Sequence, residues 1–144
     1  MICTPVADLA DIQRAYPLIA EGCLRVAARE GKPFFAPALY ADIMAGRWVL
    51  FVVRDKGEQV GTFVCREQLD TRTGMGVMFV LLAYTLPGVA PEALAAGFAA
   101  CQDYARQCKC TTVQFASKRA GWARRARQLG YVPAQQLYEL EVQP

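Results

Sequence analysis

The chain contains no histidine. Ser-His-Asp and Cys-His nucleophile chemistry is thereby excluded in its usual forms, as is every histidine-containing metal site. Proton transfer has to come from carboxylates, tyrosines, lysines, cysteines or bound water. The cysteines are Cys3, Cys23, Cys65, Cys101, Cys108 and Cys110. Cys23 and Cys101 fall in helical patterns and Cys65 in an apolar strand pattern, settings that suit small buried hydrophobes. Cys108 and Cys110 form a C-x-C pair, whereas a closed thiolate zinc site needs four cysteines close together. All six are read as reduced structural thiols, and no metal is expected. The densest charge is the run Lys118, Arg119, Arg124, Arg125 and Arg127, with no acid between residues 118 and 129. A solvated helix face and an anion-binding surface both fit it. A net charge of only +3 argues against a nucleic-acid partner, which calls for a denser basic footprint.

The elements that must position these groups can be read from periodicity. At 144 residues with 54% hydrophobic composition, one domain spanning 1–144 is expected. No apolar run approaches the roughly 20 residues of a membrane span, and no basic-then-apolar leader opens the chain. The expectation is a cytoplasmic protein without membrane contact. Residues 2–6 suit a short strand. Asp8 can cap a helix in which Leu9, Ile12, Tyr16, Ile19, Cys23 and Val26 recur at helical steps, with Pro17 expected to kink or split it. Gly31 and Pro33 end that helix, and residues 37–45 suit a second. The period then changes. Residues 48–54 and 59–66 flank an Asp-Lys-Gly-Glu turn and read as an antiparallel hairpin. Residues 68–74 form a polar loop, and 75–86 a long apolar strand buried on both faces. Pro91 opens a helix with Leu94, Phe98, Cys101 and Ala105 on its apolar face. Residues 111–116 suit a strand and 120–129 a basic helix stopped by Gly130. Leu137, Leu140 and Val142 mark a final strand. The order is β-α-α-β-β-β-α-β-α-β, an α/β fold. The strands at 75–86 and 111–116, separated by a helix, should be parallel neighbours in a mixed central sheet with helices on both faces.

This order, at this length, resembles the GNAT superfamily of acetyl-coenzyme A-dependent N-acetyltransferases across nearly the whole chain. The stretch Ser117-Lys118-Arg119-Ala120-Gly121-Trp122, the basic helix and Gly130-Tyr131 resemble the superfamily's C-terminal half. More narrowly, Arg119-x-Gly121-Trp122 with that helix is similar to small GNAT-like proteins of tailed bacteriophages. The resemblance implies acetyl transfer from acetyl-coenzyme A to an amine, small or protein-borne. It also implies two central strands that diverge at their C-terminal ends, with pantetheine against the first of them at Tyr84, Thr85 and Leu86. The pyrophosphate would sit over the following turn and helix start, at Gly88, Val89, Ala90, Glu92 and Ala93. Ser117, Arg119 and Arg124 border the same gap. A homodimer is compatible with it.

The sequence departs from the superfamily pattern at two places. The turn signature Gln/Arg-x-x-Gly-x-Gly/Ala is replaced by Pro87-Gly88-Val89-Ala90-Pro91-Glu92-Ala93. Pro91 brings no N–H, and Glu92 brings negative charge to a phosphate site. Both residues equally suit an ordinary helix start. The tyrosine that many members carry on the last helix has no counterpart, because the matching positions are Ala126 and Arg124. Tyr131 is the remaining candidate for the acid, Glu67 or Asp70 for the base, and Tyr84, near the diverging end of the central strand, is a further catalytic candidate. Tyr131 also suits a core plug, and the two acids suit solvated loop edges. A non-catalytic GNAT-fold protein acting through its surface is the alternative.

Overall fold

The computed structural model describes residues 1–144 except Ala90, Arg119 and Ala120. Among the described residues nine elements follow in the order β1 (Ile2–Val6), α1 (Leu9–Glu30), α2 (Ala36–Met44), β2 (Val49–Asp55), β3 (Glu58–Leu69), β4 (Gly76–Thr85), α3 (Pro91–Gln107), β5 (Thr112–Gln114) and α4 (Trp122–Gln128). The strands make one sheet in the order β1-β2-β3-β4-β5. The first four are antiparallel to their neighbours, and β5 lies parallel to β4 through the α3 crossover.

Apolar alternation explains why β2 and β3 are hydrophobic on both sides. Leu50, Val52 and Val64 pack under α1 and α2 with Ile12, Ile19 and Leu39. Phe51, Val53, Phe63 and Cys65 pack under α3 with Phe98 and Cys101. A strand buried on both faces has no polar stripe to show. The hairpin closes through Lys56 and Gly57, both at positive φ (52° and 84°), the two-residue turn whose twist matches the strands. Helix α1 is capped by Asp8, whose Oδ1 accepts from the Ala10 N–H at 2.8 Å. It ends at Gly31, whose N–H donates to the Ala27 carbonyl at 2.9 Å.

Four sequence expectations need correction. Helix α1 is not split at Pro17 but runs unbroken from Leu9 to Glu30. Pro17 is exposed while Ala15 and Ile19 on either side of it are fully buried, so the helix stays seated in the core across the proline. Strand β3 extends to Leu69, carrying Glu67 into the sheet. Strand β5 stops at Gln114, two residues short of the expected 116. No strand forms after α4; Leu137, Leu140 and Val142 are exposed. A three-residue β5 offers little edge to pair with, and Pro133 cannot donate to a ladder.

Two of the closest approaches fall on glycines. A Cβ on Gly97 of α3 would stand 1.9 Å from Cε1 of Phe63, so the Phe63 ring lies directly against the helix backbone. A Cβ on Gly22 of α1 would stand 2.9 Å from the Cβ of Tyr84.

Candidate functional site

Strands β4 and β5 share only three register pairs, Val77 with Thr112, Met78 with Val113 and Phe79 with Gln114. Beyond Phe79, β4 continues to Thr85 against β3 alone. Its other edge there has no strand partner among the described residues. Buried strand edges must place their N–H and C=O groups somewhere. Here they face a gap that opens where the two parallel strands part.

A bulge shapes that gap. The β3–β4 register runs Cys65 with Val80, then Val64 with Leu82, leaving Leu81 as the extra residue. Before it, Met78 and Val80 face α3; after it, Leu82 and Tyr84 face α1. Without the extra residue these four would share one face, since side chains alternate strictly along a strand. The bulge therefore turns Tyr84 toward α1 at the point where the β5 side is open.

Past β4 the Leu86 N–H donates to the Val60 carbonyl at 2.9 Å, and the Val89 N–H to the Leu86 carbonyl at 3.3 Å. Gly88 takes φ 79°, a conformation that favours glycine in this turn. Helix α3 then starts at Pro91 with exposed Glu92 in its first turn and Ala93 fully buried. The Val89 N–H is committed within the turn and Pro91 has none. Two of the donors that this turn and helix start could aim at an anion are accordingly missing among the described residues. Ala90 lies outside the described residues.

Tyr84 is 4% exposed, and its hydroxyl makes no hydrogen bond among the described residues. The Glu21 carboxylate on α1 stands near enough to act on it without a bond of ordinary geometry. Burial, then Glu21, pushes the phenol above its ordinary value, against an opposing pull from Arg25 and Arg29. The hydroxyl is therefore protonated at neutral pH. Glu21 and Arg25 escaped the sequence reading; their four-residue spacing on an amphipathic helix carried no signal, because only the bulge directs Tyr84 to them. The loop leaving β5 closes on the same helix. The Lys118 N–H donates to Glu30 Oε1 at 3.2 Å, and Lys118 Nζ to the Glu30 carbonyl at 3.4 Å.

The other candidates are placed elsewhere. Glu67 pairs in register with Met78, and its Oε1 lies 3.4 Å from where a Gly76 Cβ would stand, at the start of β4. Met78 and Tyr84 are six positions apart, ~20 Å along a strand, so Glu67 is not brought beside Tyr84. Asp70 organises its own turn, its Oδ1 accepting from the Arg72 N–H at 2.9 Å. The Tyr131 ring packs 5.1 Å from Phe115 and 5.5 Å from Phe98, and its Oη accepts from Gln102 Nε2 at 3.3 Å. Its half-buried phenol is raised, chiefly by that burial. The ring is occupied as a plug between α3 and the loop after β5. Thr85 and Leu86 do border the gap, both partly buried, and Ser117 is exposed on the loop past β5. Arg124 lines an open hollow of about 390 Å³ with Gly121, Trp122, Arg125 and Gln128, and the hollow shares no lining residue with the turn before α3. Arg119 lies outside the described residues. Among the described residues no group of cysteines or acids could hold a metal ion, and no helix is long and apolar enough to cross a membrane.

No protein-family model and no curated protein sequence matches the chain. Solved structures do. The ribosomal-protein-alanine N-acetyltransferase of Brucella melitensis biovar Abortus 2308 superposes with a TM-score of 0.74 at 14% identity, covering 97% of this chain and 98% of that one. The aminoglycoside N-acetyltransferase AAC(6')-Iy, solved in complex with CoA, gives 0.76 at 13% identity, covering 99% and 94%. The apo aminoglycoside 6'-N-acetyltransferase AAC(6')-IG of Acinetobacter haemolyticus gives 0.74 at 12% identity, covering 100% and 99%. This chain has the GNAT fold. At such low identity the likeness carries the architecture, and chemistry has to be argued from the site.

Proposed function

We propose that the protein is an N-acetyltransferase that uses acetyl-coenzyme A as substrate and an amine as acceptor. The observation that carries this reading is the edge of β4 beyond Phe79, free of a strand partner and re-aimed by the Leu81 bulge. Acetyl-coenzyme A supplies an activated thioester that an amine can attack directly. The amide-rich pantetheine arm suits a bare strand edge at Tyr84, Thr85 and Leu86, and the pyrophosphate suits the turn and helix start at 88–93. Tyr84 Oη, protonated and beside the Glu21 carboxylate, is the group to give a proton to the leaving thiolate. Glu21 is the carboxylate to take one from the attacking amine. The protein would work in the cytoplasm. The narrower likeness to phage-encoded proteins rests on the stretch from residue 117 to 131 alone.

Isothermal titration with acetyl-coenzyme A, on wild type and Glu92→Gln, tests the binding half. Binding is expected to be weak and to tighten when the carboxylate at the start of α3 is neutralised, because like charges a few ångströms apart repel. An affinity unmoved by Glu92→Gln relocates the pyrophosphate. The loss of two donors, at Val89 and Pro91, favours a second reading, a GNAT-fold protein without catalysis that acts through its surface. Absence of binding at millimolar ligand would select that second reading.

A further inference from the structure

Helix α1 meets Tyr84 at Gly22, where an added Cβ would stand 2.9 Å from the Cβ of Tyr84 and 3.2 Å from its Cδ2. Positions three and seven beyond Gly22 share that face of the helix, and they hold Arg25 and Arg29. Both are exposed, and both act electrostatically on the Tyr84 phenol. Half-buried Glu21, next to Gly22, acts on the same phenol. One acid and two cations of α1 thus converge on a hydroxyl that is shut off from solvent and has no hydrogen-bond partner among the described residues.

Glu21 and Arg25 have the spacing and the order, acid four positions before base, that favour an ion pair on a helix. Elsewhere comparable chances are taken: Arg14 pairs with Asp11 and Arg106 with Asp103. Yet Glu21 and Arg25 pair neither with each other nor with any other described residue. The other carboxylates at this end of α1 are committed, Glu30 to the Lys118 N–H and Glu139 to Lys32. Opposite charges held side by side and left apart suit a ligand that carries both. Their Cβ atoms are roughly 5–6 Å apart at this spacing, the scale of a small molecule. A simple amine would gain Glu21 but face two uncompensated cations, and a polyamine would be repelled by both.

We infer that the acceptor is a small zwitterion, an amine carrying its own carboxylate or phosphate, with its ammonium at Glu21 and its anionic group at Arg25. This rests on the acetyltransferase reading and gives that reading a substrate class. The nitrogen bonds to the acetyl carbon as the carbon–sulfur bond breaks. Of the two protons that the ammonium loses, one leaves to water through Glu21. The other, through the same carboxylate, replaces the proton that Tyr84 gives to the thiolate. Arg25 determines specificity, holding a charge that takes no part in the bond changes.

The test offers acetyl-coenzyme A and an acceptor panel to wild type, Arg25→Gln and Arg25→Lys, with products read by mass spectrometry. The panel holds the common L-amino acids, their C-terminal amides, O-phosphoethanolamine, ethanolamine and spermidine. An amino acid or phosphoethanolamine is expected to exceed its uncharged counterpart in kcat/KM by about tenfold or more, the worth of one charge-assisted hydrogen bond. Which of the two does so separates a carboxylate from a phosphate. Arg25→Gln should bring that ratio toward one by raising KM for the acceptor, and Arg25→Lys should restore part of it. The KM for acetyl-coenzyme A should be the same in all three. A ratio near one in wild type, or a ratio that survives Arg25→Gln, overturns the zwitterion and leaves the acetyltransferase reading standing. So does spermidine as the preferred acceptor, or bound acetyl-coenzyme A with nothing in the panel acetylated. Failure of acetyl-coenzyme A to bind in a separate titration overturns the acetyltransferase reading, and the zwitterion with it.

Discussion

Tyr84 combines properties that rarely coincide in a purely structural residue: a buried hydroxyl, no hydrogen-bond partner among the described residues, and a carboxylate nearby. An unsatisfied buried hydroxyl contributes nothing to stability, so its removal is cheap. Tyr84→Phe is expected to leave the thermal midpoint nearly unchanged, within about 0.5 kcal/mol, while lowering kcat for acetyl transfer by about 10²-fold or more with little change in KM for acetyl-coenzyme A. Steady-state kinetics beside calorimetry checks this. Unchanged turnover would remove Tyr84 from the mechanism. Gly97 makes the opposite case. Its missing Cβ leaves the space taken by the Phe63 ring, which itself packs edge-on against Phe98 at 5.3 Å. Gly97→Ala must displace a fully buried ring. A loss of about 1–3 kcal/mol or more is expected from denaturant unfolding, despite alanine's better helix propensity.

At the scale of elements, β4 carries two decisions that set the gap. Its bulge switches which face its later side chains occupy, and its parallel partner stops after Gln114. Together they expose backbone donors and acceptors on one edge while keeping both faces buried. Helix α1 supplies the other wall and carries an uncommon residue, Pro17, nine positions in. Proline at an interior position lacks the N–H for one helical bond and crowds the preceding turn. Because Pro17 is exposed and α1 stays continuous, Pro17→Ala should stabilise the protein by about 1–3 kcal/mol, read as a raised midpoint in urea. A fall would mean that the bend enforced by proline is needed to seat α1 on the sheet.

Across the whole molecule, five of the six thiols lie in the layer between the sheet and α3: Cys3, Cys65, Cys101, Cys108 and Cys110. All six are free. Burial pushes Cys3 and Cys23 up from 9.0 to about 11. Cys101 is raised further still, first by hydrogen bonding with Cys65 and then by burial. Tyr84 and Tyr131 are raised as well, mainly by burial. The folded state therefore keeps protons that the unfolded chain has already released. Where the native form binds more protons, stability falls as pH rises. Stability should be whole below pH 9.0 and decline from there to about 11, as these thiols are forced to ionise. Calorimetry across that range checks it. A midpoint that holds level would mean that the thiols titrate normally in the fold.

Periodicity and punctuation carried much of this architecture. The absence of histidine excluded whole classes of chemistry outright, and the β-α-β spacing around α3 required the parallel pair. Gly130, at φ 90°, ends the last helix where a left-handed residue was expected. These features are local, or follow from chirality, and a single chain displays them. The rest depended on which strands met, and in what register. The extra residue at Leu81 is visible only against β3, so no sequence period could place Tyr84 beside Glu21. Glu67 is near the hairpin in sequence, yet the antiparallel register carries it to the far end of β4. The contact between Gly97 and Phe63 joins elements 34 positions apart. Residues 138–142 have the strongest strand alternation after α4 and still pair with no strand among the described residues, because a strand needs an edge as well as a pattern. Pattern tells which side chains seek burial; only the tertiary pairing decides what they meet.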